Sequence, residues 1–189
     1  MSLLRTLKLA PVFAAVLSSV VLAGEQKLAI DEEKYAMLQA AYLFNIAKFI
    51  SWPEHQQNQP FRLCLLGEHT SKLYPYFSKA FEQRPLGQRQ IEVHPLAADS
   101  ELPSCQLVYL TSDSSSPLPL LAIKPAPLRV TAPGVAVTGS VLFDLSMEAG
   151  RIIIYHNQAA QAEFQLPINT ALLRVTRPLP GGIPAGAIP

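Results

Sequence analysis

The side chains that most often carry catalysis or bind metals are few in this chain, and their spacing matches no known site. The histidines are spread over loop and strand positions, and no two have the i, i+4 spacing that places two metal ligands on one helix face: His55, His69, His94 and His156. The serines of residues 112–116 lack a G-x-S-x-G context, and the glycines form neither a dinucleotide-binding nor a Walker pattern. The sequence therefore predicts a protein that is not an enzyme and that needs no cofactor and no metal. The alternative is a constellation assembled only by the fold.

One polar pair and one tryptophan are candidate binding residues. His156 and Asn157 follow an unbroken run of three isoleucines and precede a predicted helix. Asn157 is a good helix N-cap type, so we expect it to cap that helix, with ligand binding as the alternative. Trp52 follows the first predicted helix, where it either plugs the end of the core or serves as an exposed anchor for a partner. The plug is the favoured interpretation.

The elements that must position these residues alternate between helix and strand. Residues 35–50 form an apolar helix that stops before Trp52 and Pro53, and its polar positions are so few that we expect cover on two sides. It is shorter than the ~20 residues that cross a bilayer. Further helices are predicted at 70–83, 158–164 and 170–175, and strands at 61–67, 90–94, 105–110, 128–131, 140–146 and 151–156. This alternation predicts an α/β single-domain sandwich with a central mixed sheet of about five to six strands flanked by helices.

The two ends of the chain are expected to lie outside this domain. Residues 1–23 have the pattern of a secretory signal peptide, with Arg5 and Lys8 before an apolar run and a small residue, Ala23, at the cleavage position. A membrane anchor is the alternative, although a polar, acidic segment follows the run. Residues 24–176 then form the folded domain, and residues 177–189, rich in proline and glycine, are predicted to be a disordered tail.

Charge and cysteine content fit an exported protein. Removing Arg5 and Lys8 leaves 13 basic against 14 acidic residues, so the mature chain is nearly neutral and we expect neither nucleic-acid binding nor insertion into a membrane. Cysteines usually pair in an oxidising compartment, and Cys64 and Cys105 allow a single intramolecular disulfide. A free buried pair and a redox site are the alternatives, the latter disfavoured because there is no C-x-x-C spacing.

Several short segments, taken in order, resemble the YfiR/HmsC-like family of small periplasmic proteins. They are AAYL at residues 40–43, Trp52-Pro53, FRLCLLG at 61–67, CQLVYL at 105–110, Thr-Gly-Ser at 138–140, Asn157 and INTALL at 168–173. The resemblance covers residues 35–175. It implies a periplasmic protein that binds the sensing domain of an inner-membrane diguanylate cyclase and represses it, which lowers cyclic-di-GMP and biofilm formation. A periplasmic small-molecule sensor or an accessory subunit of an envelope system is the alternative function.

The resemblance also suggests which residues could contact a partner or ligand, and where this chain departs from the family. The candidates are Trp52, Tyr155, Asn157 and Asn169. The family often has an acidic residue shortly before the asparagine, where this chain has Tyr155. The family's strand-borne cysteine pair matches Cys64 and Cys105. The apolar first helix also predicts a homodimer.

Overall fold

The computed structural model describes residues 16–53, 56, 58–96, 104–111, 126–135 and 141–180. Within these ranges there are four helices, α1 (Val16–Lys48), α2 (Thr70–Phe81), α3 (Gln161–Phe164) and α4 (Thr170–Leu173), with a 3₁₀ turn at Gln158–Ala160. The strands are β1 (Phe61–Leu66), β2 (Ile91–Leu96), β3 (Leu107–Leu110), β4 (Leu128–Thr131), β5 (Phe143–Glu148), β6 (Arg151–His156) and β7 (Arg177–Pro178). Some segments used in the sequence predictions lie outside the described residues: the first fifteen residues, His55, and residues 112–116, 136–140 and 181–189.

The strands form one mixed sheet in the order β2-β1-β3-β4-β5-β6-β7, which confirms the predicted α/β fold class. The strands from β2 to β5 in that order are parallel, β5 and β6 form an antiparallel hairpin, and β7 is parallel to β6. Parallel strands are usually covered on both faces, and β3 and β4 are buried at every residue. The described sheet has one strand more than the upper estimate of six.

The additional strand is β7, in the segment predicted to be a disordered tail. Arg177 and Pro178 align with Tyr155 and His156 of β6, and the Leu179 N–H donates to the His156 carbonyl at 2.9 Å. The prediction of irregular structure from residue 177 is therefore wrong for these first positions. Proline has no N–H for a sheet ladder, so the local sequence disfavours a strand here, and pairing with β6 overrides that preference.

Helix α1 begins upstream of the predicted start at residue 35. The chain divides into two units, residues 1–35 and 36–189, and the boundary falls within this helix. From Ala36 onward one face is buried in the core of the second unit; it comprises Ala36, Gln39, Ala40, Leu43, Ile46 and Ala47. The opposite stripe is exposed at Leu38, Asn45 and Lys48. The expected cover on two sides is therefore absent among the described residues, and only one side of this helix is packed.

The buried face of α1 contains one polar residue, Gln39, whose partner explains its position. The Tyr109 hydroxyl on β3 donates to Gln39 Oε1 at 2.6 Å, and both side chains are buried. The Tyr42 hydroxyl donates to the Ile152 carbonyl of β6 at 3.1 Å. Because a buried polar group is costly without a partner, these bonds fix the rotation of the helix over the sheet.

Helix α1 ends beside the segment that precedes α4. Ile50 and Ile168 form an isolated antiparallel bridge, and the Asn169 N–H donates to the Phe49 carbonyl at 2.9 Å. The Ser51 N–H donates to Pro167 at 2.9 Å. These bonds satisfy backbone groups after the last turn of α1. They also hold Trp52 next to Phe61, the first residue of β1.

None of the helices in the described part of the chain is long and apolar enough to cross a membrane.

Candidate functional site

The two cysteines are joined, as predicted from the sequence. Cys64 of β1 is fully buried and Cys105 precedes β3, with the two Cα atoms 6.0 Å apart, inside the range that a disulfide spans. Their face of the sheet carries a small apolar cluster that includes Leu66 and Val108. The disulfide thus joins β1 to the start of the neighbouring parallel strand β3, on the face of the sheet that carries this cluster.

Trp52 is half-buried and acts as a plug with one exposed side. Its indole N–H donates to the Ala47 carbonyl at 2.8 Å, and its ring meets Phe61 edge-on with centroids 4.9 Å apart. The Arg89 guanidinium lies 5.1 Å over the Phe61 ring and donates to the Gln59 carbonyl at 2.8 Å. The exposed side of the indole borders a cavity of about 440 Å³, lined by Ile50, Ser51, Trp52, Asn58, Leu86, Gly87, Gln88 and Arg89.

Asn169, another predicted contact residue, has a structural role that the sequence analysis did not assign. It is the N-cap of α4, and its side-chain Oδ1 accepts the Ala171 N–H at 2.8 Å. Capping by asparagine is sufficient to explain this residue type at the start of a helix. Because Asn169 also bonds the last residues of α1 through Phe49, it lies on the same side of the fold as Trp52.

Asn157 does not cap as expected. It stands immediately before the 3₁₀ turn with φ −89° and ψ 93°, but its side chain makes no capping hydrogen bond. The residue is buried, and its backbone N–H donates to the Leu142 carbonyl at 2.9 Å. Its backbone therefore serves to extend the pairing of β6 with the start of β5, and the prediction of an Asn157 cap is wrong.

Tyr155 belongs to a polar cluster across β5, β6 and β7. Its hydroxyl donates to one carboxylate oxygen of Glu148, and Arg177 donates to the other oxygen at 2.7 Å. The hydrogen bond from Tyr155, followed by that from Arg177, lowers the pKa of the Glu148 carboxyl. The structure thus separates the four predicted contact residues into two groups, with Trp52 and Asn169 at the end of α1 and Tyr155 and Asn157 on β6.

His156, one of the four scattered histidines, lies in the core of the fold. Its side chain is 4% exposed, and its ring packs against Phe143 with centroids 5.4 Å apart. Burial lowers the pKa of the imidazole, because the charged form loses its hydration. The inward direction follows from strand alternation, since Ile152 and Ile154 on the same face of β6 are also buried.

A buried ion pair is the main polar feature that sequence reasoning missed. Arg129 of β4 bonds Glu163 of α3, with side-chain exposures of 4% and 24%, and its guanidinium lies 4.8 Å over the Phe164 ring. Burial lowers the pKa of Arg129, and the charge of Glu163 opposes that effect. The sequence did contain a signal for this pair, the arginine inside the apolar run LRVT. An arginine in a buried strand requires a partner of opposite charge.

No group of three or more histidine, cysteine, aspartate or glutamate residues within the described ranges could hold a metal ion. Several polar side chains there form pairs or caps, among them Tyr155 with Glu148, Arg129 with Glu163 and the Asn169 cap. The arrangement provides surfaces and small cavities for binding.

The comparisons with known proteins agree with the resemblance seen in the sequence. A profile of the YfiR/HmsC-like family matches residues 36–177, which is roughly three quarters of the chain. The matched region begins where the second unit begins and ends in β7. A search of curated proteins gives no match.

Proposed function

This chain belongs to the YfiR/HmsC-like family, and from that premise we propose that it binds the periplasmic sensing domain of an inner-membrane diguanylate cyclase and represses the enzyme. Cyclic-di-GMP and biofilm formation would then stay low until an envelope signal weakens the complex. The family is known for periplasmic regulation of such cyclases and is regulatory. The single observation that carries the proposal is the family match over residues 36–177.

A periplasmic location is part of this proposal. The signal-peptide pattern of residues 1–23 supports it, and so does the disulfide between Cys64 and Cys105, since such bonds persist in oxidising compartments. Cleavage after Ala23 remains a prediction.

The outward stripe of α1 is the surface that we assign to the cyclase. It comprises Leu38, Asn45 and Lys48, the exposed residues opposite the face that packs on the sheet. Leu38 is the large apolar side chain of this stripe, and it is 45% exposed. Repression needs a preference for the inactive state of the sensor, so this contact must be stronger in that state than in the active one. With a nearly neutral chain, the contact should depend only weakly on salt.

The proposal is tested first by deletion of the gene. In a strain that expresses the partner cyclase, deletion should raise cyclic-di-GMP and matrix production, and restoring the gene should lower both. Unchanged levels would contradict the repressor role.

A direct binding measurement tests the assigned surface. The purified chain should bind the cyclase's periplasmic domain, and Leu38→Arg should weaken that binding about tenfold or more, as for an apolar interface anchor. Tyr74→Arg is the matched control, because Tyr74 is 39% exposed and belongs to a different helix, α2. Equal effects of both substitutions would refute the assignment to α1.

Homodimerisation stays a prediction. Sedimentation of the wild-type chain and of Leu38→Arg would measure it, and a stable dimer should bury about 1,000 Å² or more. A monomer at all accessible concentrations would exclude it.

The alternative function, a periplasmic small-molecule sensor or an accessory subunit of an envelope system, is favoured by one observation. The cavity beside Trp52, about 440 Å³, lies within the size range of ligand sites. This function would be favoured over the repressor role by two results together. Deletion of the gene would leave cyclic-di-GMP unchanged, and a ligand would bind at this cavity.

A further inference from the structure

A second cavity lies between β6 and the C-terminal segment. Its volume is about 340 Å³, and its lining comes from β6, the 3₁₀ turn, α3, α4 and the segment around β7, through the side chains of His156, Gln158, Gln161, Leu173, Thr176 and Pro178. The cavity therefore exists only because β7 pairs with β6 and holds the chain over the helices that follow the sheet.

One buried polar atom at this cavity has no assigned partner. His156 is 4% exposed, and its Nε2 is buried without a hydrogen-bond partner among the described residues. A buried ring nitrogen in that state costs free energy, so such groups usually bind a water or a ligand. The ring is held in place by Phe143 on its other side, which presents the imidazole as a fixed group.

The chemistry of the lining selects a class of ligand. None of the six side chains carries a formal charge while His156 is neutral, and burial, by lowering the pKa of the imidazole, keeps it neutral near pH 7. The two glutamine carboxamides each offer an N–H donor beside a C=O acceptor, and Thr176, which donates to the Leu173 carbonyl at 3.1 Å, retains acceptor capacity. Leu173 and Pro178 add apolar surface.

From this lining we propose that the cavity is a binding site for a small uncharged molecule that carries an amide or lactam group. The N–H and C=O of such a group match a glutamine carboxamide in two parallel hydrogen bonds, while its ring or chain packs on Leu173 and Pro178. Binding at this site does not depend on the repressor role.

Nicotinamide is a suitable probe, because it has a neutral primary amide on a flat ring and fits the volume. The experiment is an NMR titration of the chain purified after periplasmic production. Saturable shifts are expected at the backbone amides of Gln158, Gln161, Leu173 and Thr176. Nicotinate, which has the same ring and a negative charge, should bind about tenfold more weakly, because no cation lines the cavity to offset its desolvation.

Two variants and a control decide the location. Gln158→Ala and Gln161→Ala should each weaken nicotinamide binding about threefold to tenfold, the effect of one lost hydrogen bond. Both side chains are at least partly exposed, so the fold should survive. Gln83→Ala, at an exposed position that lines neither cavity, should bind as the wild type does. The proposal is overturned by an absence of saturable shifts, by equal affinity for nicotinate, by shifts centred on the Trp52 cavity, or by unchanged affinity in both variants.

Discussion

Removing one member of the buried ion pair should destabilise this protein far more than removing one member of an exposed ion pair. In Glu163→Gln the guanidinium of Arg129, only 4% exposed, loses its carboxylate partner and stays buried. Breaking a buried pair in this way costs about 3–5 kcal/mol of unfolding free energy. We expect about 3 kcal/mol, the lower end, because Glu163 is 24% exposed and water already reaches part of the site.

The reverse substitution should cost less. Arg129→Met leaves a carboxylate that can hydrate, although it also removes the contact of the guanidinium with Phe164, which contributes roughly 0.5–2 kcal/mol. The double variant Arg129→Met/Glu163→Gln removes both charges, and such neutral replacements of buried pairs are often close to neutral in stability. We therefore expect a coupling free energy of about 2 kcal/mol or more in the double-mutant cycle.

The exposed pair of Arg177 and Glu148 is the matched control. Their side chains are 56% and 39% exposed, and an exposed pair adds little to stability because water screens it. Arg177→Met should therefore change the unfolding free energy far less than Glu163→Gln does, and added salt should reduce that difference further.

The assay is equilibrium unfolding in urea, followed by circular dichroism and by the fluorescence of Trp52, which is the only tryptophan. For a chain of this size, 3 kcal/mol corresponds to a fall in Tm of about 6–12 °C. The reasoning is refuted if Glu163→Gln and Arg177→Met have equal effects, or if the cycle gives no coupling.

Three further outcomes are expected, each from a different feature. Replacing Cys64 and Cys105 by alanine, which opens a loop with a sequence separation of 41, should lower the unfolding free energy by up to about 4 kcal/mol, and a reductant should destabilise the wild type but not the variant. Ala149→Gly should raise stability by about 1 kcal/mol in the same assay because Ala149 has φ 47° in the hairpin turn, whereas Gly150→Ala, at φ 77°, should lower it. The neutral form of His156 is favoured in the folded state, so its folded pKa lies below the ordinary imidazole value of about 6.5. The stability that it contributes is present above that value and is lost as the pH falls through the folded pKa. His156→Phe should flatten that slope in unfolding curves at different pH.

Local sequence patterns determined most of the fold. The apolar runs at β1, β3 and β4 predicted buried strands, and the spacing of apolar residues in α2 predicted its helix, because both patterns follow from the period of each element against one core. The hairpin of β5 and β6 was predicted from Gly150, which adopts the positive φ that the turn requires. The disulfide followed from the presence of two cysteines in a chain with an export signal.

The sites were determined only by the tertiary structure. The pairing of Arg129 with Glu163 joins residues that are 34 positions apart, and neither residue has a local pattern that names the other. Strand β7 forms from a proline-containing segment because β6 offers open backbone groups, and the cavity at His156 exists only once that pairing has formed. The sequence by itself determined the family, most of the elements and the disulfide. The contacts between elements decided which polar side chains are buried and allowed β7 to form, because burial and pairing depend on distances that no local spacing encodes.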